Sequence, residues 1–390
     1  MRPEASTMSD VLAVVCVAVW IYLICGRGRF WLARVRDTGT PPPADNWPSV
    51  VAVIPARNEA ETVAASVQSL LRQDYRGSLT VIVADDDSDD GTAAVATVAA
   101  VNASTGRTLT IVTSSGPPAG WTGKLWAVRQ GVAAAEISRP DYLLLSDADI
   151  VHAPDIVSWL VSHSISGRFA LTSLMAKLRC ESLAERSHVP AFVYFFQMLF
   201  PFSQVCDPRS TTAAAAGGCM LVRADALRSA GGIDSIRNAL IDDCALATKL
   251  KAVGPIWLGL TNRSVSVRPY ASMADVRHMI SRSAYTQLRY SLWRLAGTIA
   301  GMALVFVAPP LLAIFASGFA QYLGLAAWLA MAVSFQPMLR FYRLSPLWGL
   351  ALPIIALLYS LYTLDSAYQH FRRRGGQWKG RVHVNAPSLP

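Results

Sequence analysis

The sequence predicts an α/β fold: a Rossmann-like parallel sheet with helical crossovers, carrying one membrane segment ahead of it and two to four behind it. Three observations predict this. Short apolar runs alternate with helical stretches from Ser49 onward, acidic clusters follow two of those runs directly, and apolar stretches of bilayer length stand near both ends of the chain. With 53% hydrophobic residues in 390, the chain is too apolar for a purely soluble enzyme. Its middle is too charged for a protein buried wholly in a membrane.

Val11 to Cys25 is continuously apolar and precedes Arg27, Arg29, Arg34 and Arg36, so residues 1–36 hold either a short membrane anchor with a basic flank or a signal-peptide core. Glu4 and Asp10 stand where a signal peptide has a basic cluster, and no small-residue cleavage site follows. Both points favour the anchor, and the arginines then assign the domain that follows to the cytoplasm, beneath the inner membrane. Residues 37–48, rich in Pro and polar groups, read as a linker.

The domain at 49–290 opens with a regular rhythm. Val50 to Ile54 reads as a strand, Glu59 to Gln73 as a helix, Leu79 to Ala84 as a strand, Gly91 to Val101 as a helix and Leu109 to Thr113 as a strand. A βαβαβ order implies parallel strands with right-handed crossovers. Thr122 to Ala135 continues as a helix, Tyr142 to Leu145 as a strand and Pro154 to His163 as a helix. The part from 164 to 290 is less regular. Within it Val189 to Val205 is aromatic and almost chargeless, and reads either as a core helix or as a helix lying in the membrane interface, where it would help capture a lipid.

In the region 291–368, Leu295 to Ala316, Phe319 to Met338 and Leu347 to Leu364 each have the length of a span, roughly 17 to 25 residues. Three crossings would leave the tail at 369–390 outside, yet its Arg372, Arg373, Arg374, Lys379 and Arg381 belong in the cytoplasm. A break at Pro309-Pro310, turning the first segment into a re-entrant or interfacial piece, would reconcile the two signals. The basic residues crowd near these segments, so the formal charge of +9 reads as attraction to the lipid bilayer and its anionic head groups, with no nucleic acid partner. The cysteines form no CxxC pair and read as reduced thiols; the histidines lack HExxH spacing, which argues against zinc.

The chemistry-bearing residues gather at strand ends, where open α/β sheets bind ligands. Pro55-Ala56-Arg57-Asn58-Glu59 turns the chain after the first strand, with Glu59 opening a helix; ordinary capping would explain it equally well. Asp85-Asp86-Asp87-Ser88-Asp89-Asp90-Gly91-Thr92 follows the second strand. A carboxylate there can accept the imide N–H of a uracil, and Asp90 can cap the next helix. Asp147-Ala148-Asp149 follows a later strand, and in extended backbone both side chains project to one side, toward a Mg²⁺ or Mn²⁺ held against a diphosphate. Asp242-Asp243 opens a helical run; the helix dipole alone accounts for it, while a general base is its functional reading. Lys124 opens a helix as part of an anion site. Arg282 and Arg289 precede the membrane segments and suit either lipid head groups or a departing diphosphate.

Taken together these residues resemble family 2 glycosyltransferases of the GT-A fold over about residues 49–290. The resemblance implies that Pro55, Arg57, Glu59 and Asp86 hold the donor's uridine side, with Lys124 of Gly123-Lys124-Leu125-Trp126-Ala127, Asp147 and Arg289 also on the donor. It implies Asp147 and Asp149 as metal ligands, Gly217 and Gly218 of Gly217-Gly218-Cys219-Met220-Leu221-Val222-Arg223 with Asp242 on the acceptor side, and Asp243 as catalytic base. Asp242 departs from the family's usual Glu, and Gln287 stands one place too close to Arg289 for the family's Gln-x-x-Arg-Trp motif, which argues against processive polymer synthesis. More narrowly, Gly120-Trp121-Thr122-Gly123-Lys124-Leu125-Trp126-Ala127, Thr286-Gln287-Leu288-Arg289-Tyr290-Ser291 and Trp378-Lys379-Gly380-Arg381 look like the hopene-associated enzymes of hopanoid biosynthesis and their ceramide glucosyltransferase relatives. The implied reaction is inverting transfer from a nucleotide-sugar donor, aided by a divalent cation, to a membrane lipid acceptor. A non-catalytic nucleotide-sugar scaffold is the rival reading, and the filled base position at Asp243 argues against it.

Overall fold

A computed structural model describes residues 3–40, 46–372, 377–378 and 381–382. Residues 41–45 of the expected linker and most of the expected tail, Arg373, Arg374 and Lys379 included, lie outside the described residues. The chain divides into two units, one helical and one built on a sheet.

The sheet unit takes Val35–Arg179 and Gln204–Pro269. Its strands are β1 (Val50–Ala56), β2 (Leu79–Asp85), β3 (Leu109–Thr113), β4 (Tyr142–Leu145), β5 (Ile150–His152), β6 (Leu171–Lys177), β7 (Met220–Arg223) and β8 (Ile256–Ser266), in the spatial order β3-β2-β1-β4-β7-β6-β8-β5. The expected parallel rhythm holds across the first four, where Val50 sits beside both Leu79 and Tyr142 and Val81 beside Leu109. β1 and β4 are buried at every position, as strands covered on both faces must be. Beyond β4 the sheet is mixed: β7 runs antiparallel to β4 and β6, and β5 antiparallel to β8. The segment after the N-terminal helix joins this sheet, with Leu260 N–H donating to the Val35 carbonyl at 2.9 Å and Asp37 N–H to the Leu260 carbonyl at 3.1 Å.

The helical unit comprises the described residues up to Arg34, Cys180–Ser203 and the chain from Tyr270 to Arg372. It thus takes in the aromatic stretch that sequence reading sets inside 49–290. Most of that stretch lies in the helix Leu183–Leu199 and its end in the short helix Phe202–Cys206. Tyr194, Phe195 and Phe202 are core while Phe192, Phe196 and Phe200 are half-buried: Tyr194 donates to or accepts from Ser334 Oγ at 2.7 Å, while Phe195 meets Phe306 and Tyr359 edge-on. Among the described residues three helical stretches are long and apolar enough to cross a membrane: Thr7–Gly26, Leu292–Phe315 and Phe319–Phe341. The expected Leu347 to Leu364 segment is not among them. It becomes a helix, Leu352–Phe371, whose C-terminal half carries Thr363, Asp365, Ser366 and Gln369.

The Pro309-Pro310 pair does not break its segment, because the backbone adjusts instead. Ala303–Val307 winds as a π-helix ahead of the prolines, and the helix continues to Phe315. The Val305 carbonyl would look to Pro309 or Pro310 for an i+4 or i+5 donor, and proline has no N–H. Trp20 Nε1–H supplies the missing donor at 2.9 Å, and Cys16 Sγ approaches the Leu304 carbonyl at 3.5 Å.

Candidate active site

The loops that follow β1 and β2 lock together. Asn58 and Asp87 take left-handed backbone, φ 50° and 55°, which their short polar side chains tolerate. Ser88 Oγ accepts from Asn58 N–H at 3.0 Å, Asn58 Oδ1 from Asp89 N–H at 3.1 Å, Thr92 Oγ1 from Glu59 N–H at 2.9 Å and Asp90 Oδ2 from Ala60 N–H at 3.0 Å. Asp90 Oδ1 also accepts from Thr92 N–H at 3.0 Å, but the residue at the N-cap of that helix is Gly91, so Asp90 stands one place ahead of the cap expected of it. The α-helix starts at Val63 after a turn in which the Glu59 carbonyl accepts from Thr62 and Val63 N–H at 3.0 and 2.9 Å, so Glu59 precedes it and does not open it. Asp86 is fully buried, accepts from Ser114 Oγ at 3.2 Å and lies 3.9 Å from the Arg57 guanidinium, which also donates to the Asp87 carbonyl at 3.0 Å.

At the end of β4 the Asp-x-Asp pair departs from the extended geometry that the sequence suggests. Ile150 N–H bonds back to the Asp147 carbonyl at 3.2 Å, so the segment is a turn and the two carboxylates diverge. Asp149 Oδ2 accepts from Ser266 Oγ at 2.7 Å and lies 3.3 Å from Arg268 Nε. Arg268 Nη2 also stands 2.7 Å from both carboxylate oxygens of Glu59. Arg268 thereby ties the first strand's loop to the Asp-x-Asp turn.

Asp147 faces the other way, toward a second cluster. Its Oδ1 is 2.9 Å from Lys124 Nζ, which is 3.1 Å from Asp242 Oδ2. Lys124 sits in the first turn of the helix Gly123–Glu136, capped by Thr122 Oγ1, and Asp242 and Asp243 open the helix Asp242–Lys251. Asp243 Oδ2 accepts from Gly217 N–H at 3.0 Å, and its Oδ1 from Cys244 N–H at 2.7 Å. A Cβ on Gly217 would lie 3.3 Å from Lys124 Nζ, 3.6 Å from Asp243 Oδ2 and 3.8 Å from Asp147 Oδ2, so glycine keeps open the spot where these groups converge. At Gly218, next in line, a Cβ would lie 3.2 Å from Ile150 and 3.3 Å from Ala176. Pro55, Lys124, Asp147, Gly217, Met220 and Asp242 all line a single cleft there.

Burial, reinforced by Asp242, pushes the Asp243 carboxyl up to about 6 against the pull of Lys124. Burial alone would lower the Lys124 ammonium, but Asp147 and Asp242 outweigh it and raise it above its ordinary value. The Asp90 carboxyl moves the opposite way from Asp243: burial opposes, yet hydrogen bonds from Thr92 and Ala60 hold it below the usual carboxylate range.

Asp147 and Asp149 are hard oxygen donors of the kind Mg²⁺ and Mn²⁺ take, and Asp147 turns its carboxylate into the cleft. Among the described residues no group of three or more His, Cys, Asp or Glu is arranged as a metal cage. Such a site fits a cation that keeps one or two carboxylates and completes its shell with phosphate oxygens and water.

Arg289 belongs to the helical unit. It and Tyr290 both take left-handed backbone, at φ 52° and 55°, and His370 stacks on Tyr290 at 4.4 Å. Sequence reading passes over Arg268 and Ser266. The signal was available in Ser264-Val265-Ser266-Val267-Arg268, where polar groups alternate with valines and share one face of a strand end.

The family model described as Glycosyltransferase like family 2 matches residues 48–276. Among solved structures the chain is similar to the mannosyltransferase PcManGT from Pyrobaculum calidifontis in complex with GDP-Man and Mn²⁺, at 19% identity over 93% of this chain and 99% of that one, with a TM-score of 0.57. It is also similar to glucosyl-3-phosphoglycerate synthase from Mycobacterium tuberculosis in complex with Mn²⁺, UDP and phosphoglyceric acid, at 18% identity over 66% of this chain and 86% of that one, with a TM-score of 0.42. No curated protein matches the chain.

Proposed function

The chain belongs to the glycosyltransferase-like family 2 and carries the GT-A fold, and from that premise we propose that it transfers a sugar, with inversion, from a nucleotide-sugar donor to the hydroxyl of a membrane lipid. The observation that carries this reading is the convergence of Asp147, Lys124, Asp242 and Asp243 beside Gly217. One half-buried cation there is shared by a donor-side carboxylate and the carboxylates at the base position.

Asp243, held by two backbone N–H groups and raised toward neutrality, takes the proton of the acceptor hydroxyl. The oxygen attacks the anomeric carbon from the face opposite the diphosphate, the bond from that carbon to the phosphate oxygen breaks, and Lys124 stabilises the charge that gathers on the leaving group. Arg57, Glu59 and Asp86 stand on the nucleotide side, Arg268 orienting Glu59. Arg289 is assigned to the diphosphate by resemblance alone. Asp147, which lines the cleft, and by resemblance Asp149, engaged here by Ser266 and Arg268, would hold a divalent cation, which when bound supplies further charge stabilisation at the diphosphate. The mannosyltransferase structure of like fold holds GDP-Man and Mn²⁺, in keeping with this reading.

The three long apolar helices favour an acceptor that stays in the bilayer and a protein of the inner membrane, its sheet unit in the cytoplasm. A UDP-linked donor and a hopanoid or similar polycyclic lipid alcohol are the substrates we favour. Ceramide, diacylglycerol and polyprenyl phosphate are the alternatives. Lipid mass spectrometry of cells with and without the protein tests this: a hexosylated lipid should vanish on deletion and return only with an active chain. An unchanged lipid profile alongside the loss of a water-soluble glycoside would overturn the lipid acceptor.

A further inference from the structure

We propose that His152 is a positioning residue that sets the separation between the donor-side Asp147 and the base Asp243, through a one-way chain of hydrogen bonds running Ser264, His152, Ser146, Gly218. It rests on the reading of Asp147 and Asp243 given above.

The geometry leaves little freedom. β5 and β8 pair antiparallel with His152 opposite Ser264, which brings His152 Nδ1 to 2.9 Å from Ser264 Oγ. The other ring nitrogen, Nε2, lies 2.9 Å from Ser146 Oγ, and Ser146 Oγ is in turn 3.3 Å from the Gly218 carbonyl. Ser146 is the residue before Asp147, and its own N–H is fixed by the Val53 carbonyl at 3.1 Å. Gly218 is the residue after Gly217, whose N–H holds Asp243. The imidazole therefore stands between β8 and the strand end that carries the donor-side carboxylate, and Ser146, which it holds, joins that strand end to the backbone that carries the base.

Counting protons gives the chain its direction. Ser146 Oγ lies 3.3 Å from two carbonyls, those of Gly218 and Asp147, and a carbonyl only accepts, so these bonds together take the single hydroxyl proton of Ser146. Ser146 must then accept from His152, which fixes the proton on Nε2, and Nδ1 accepts from Ser264. All three bonds are made with one proton each. The other tautomer turns the Ser146 hydroxyl toward Nε2 and leaves the Gly218 carbonyl without it. Burial agrees with a neutral ring, pushing the imidazole down to about 4. His152 is 4% exposed and has no path to substrate, so its influence is on placement.

Two amide replacements separate this role from bulk packing. The side-chain N–H of Gln reaches the position of Nε2 and keeps a donor toward Ser146, whereas the shorter Asn reaches Nδ1 and keeps only the Ser264 side. In the full-length protein in lipid vesicles, without any donor, amide hydrogen exchange over residues 216–219 should rise about tenfold in His152→Asn, the ordinary worth of one buried hydrogen bond. His152→Gln should stay within about threefold of the native protein, and Ser146→Ala should match the Asn variant. With UDP-glucose and Mn²⁺, kcat should fall about 10- to 100-fold in His152→Asn and Ser146→Ala at little-changed donor KM, and recover in His152→Gln. Exchange that is unchanged in the Asn variant, or that rises across the whole sheet equally in Asn and Gln variants, would overturn the proposal. A kcat that falls equally in both amide variants would also overturn it. Full activity in Asp243→Asn would instead defeat the assignment of Asp243 as base and leave the exchange result standing as evidence on the relay alone.

Discussion

In the loops after β1 and β2, the carboxylates of Asp86 and Asp90 are each answered by hydroxyl or amide donors from adjoining loops; around Gly217, three carboxylates from two elements share the ammonium of Lys124. The first arrangement stabilises the charged form, and Asp90 titrates low. The second crowds like charges in a half-buried place, and Asp243 titrates high. Both regions look alike as acidic clusters in the sequence, yet only the second is arranged for proton transfer at ordinary pH.

Removing the shared cation breaks the contrast most severely. Lys124→Ala leaves Asp147, Asp242 and Asp243 without their common partner and removes the positive charge facing the leaving diphosphate. A fall in kcat of about 1000-fold is expected in a transfer assay. Asp149→Ala should abolish the response of activity to added Mn²⁺ and lower turnover about 100-fold, whereas a wild type fully active in excess chelator would contradict the metal reading.

A pH profile sharpens the comparison at lower cost. A base must be ionised to act, so kcat should fall about tenfold per pH unit below about 6, the value to which Asp243 is raised. A profile flat down to pH 5 would remove Asp243 from the role. The mildest change belongs to the other region. Asp90→Ala removes acceptors from Ala60 and Thr92 and should cost about 1 kcal/mol in denaturant unfolding while leaving kcat within about threefold. Because its folded pKa is depressed, that contribution is present above the ordinary carboxylate range and fades as pH falls through the folded value.

How much of this was legible in the sequence depends on how local the determinant is. β1, β2, β3 and β4 are short apolar runs with turn-forming ends, and their parallel order follows from the helices between them. β5 has three residues, and its existence depends on pairing with the far larger β8, where Thr261, Asn262, Ser264 and Ser266 dilute the apolar signal. The acidic motifs were visible as residues but not as partners. Nothing in local spacing tells that Asp147 turns to Lys124 while Asp149 turns to Arg268, because a single bond from Ile150 N–H bends the segment. The Pro309-Pro310 pair misled for a similar reason. Its missing donor is replaced by Trp20, 285 residues away in sequence from the carbonyl it satisfies.

Glu59 shows the limit from the other side. The residues around it suggest a helix start, and capping preferences support one, but Thr92 and Asp90 from the next loop claim its amide and that of Ala60 first. Those amides would lack an intrahelical partner at any helix start, so the loop contacts fix the approach to the helix, and the Glu59 side chain is held by Thr62 and Arg268.

The central claim is that Asp243 acts as the base in sugar transfer, and Asp243→Asn tests it most directly. Asparagine keeps the size of the side chain and an acceptor for Gly217 N–H but cannot take a proton at neutral pH. Donor binding, followed by calorimetry with UDP-glucose and Mn²⁺ on the purified full chain, should stay within about threefold of the native value, while lipid glycosylation falls by a factor of about 100 to 10,000. Near-native transfer in that variant, or a loss of donor affinity that accounts for the whole fall, would contradict the account.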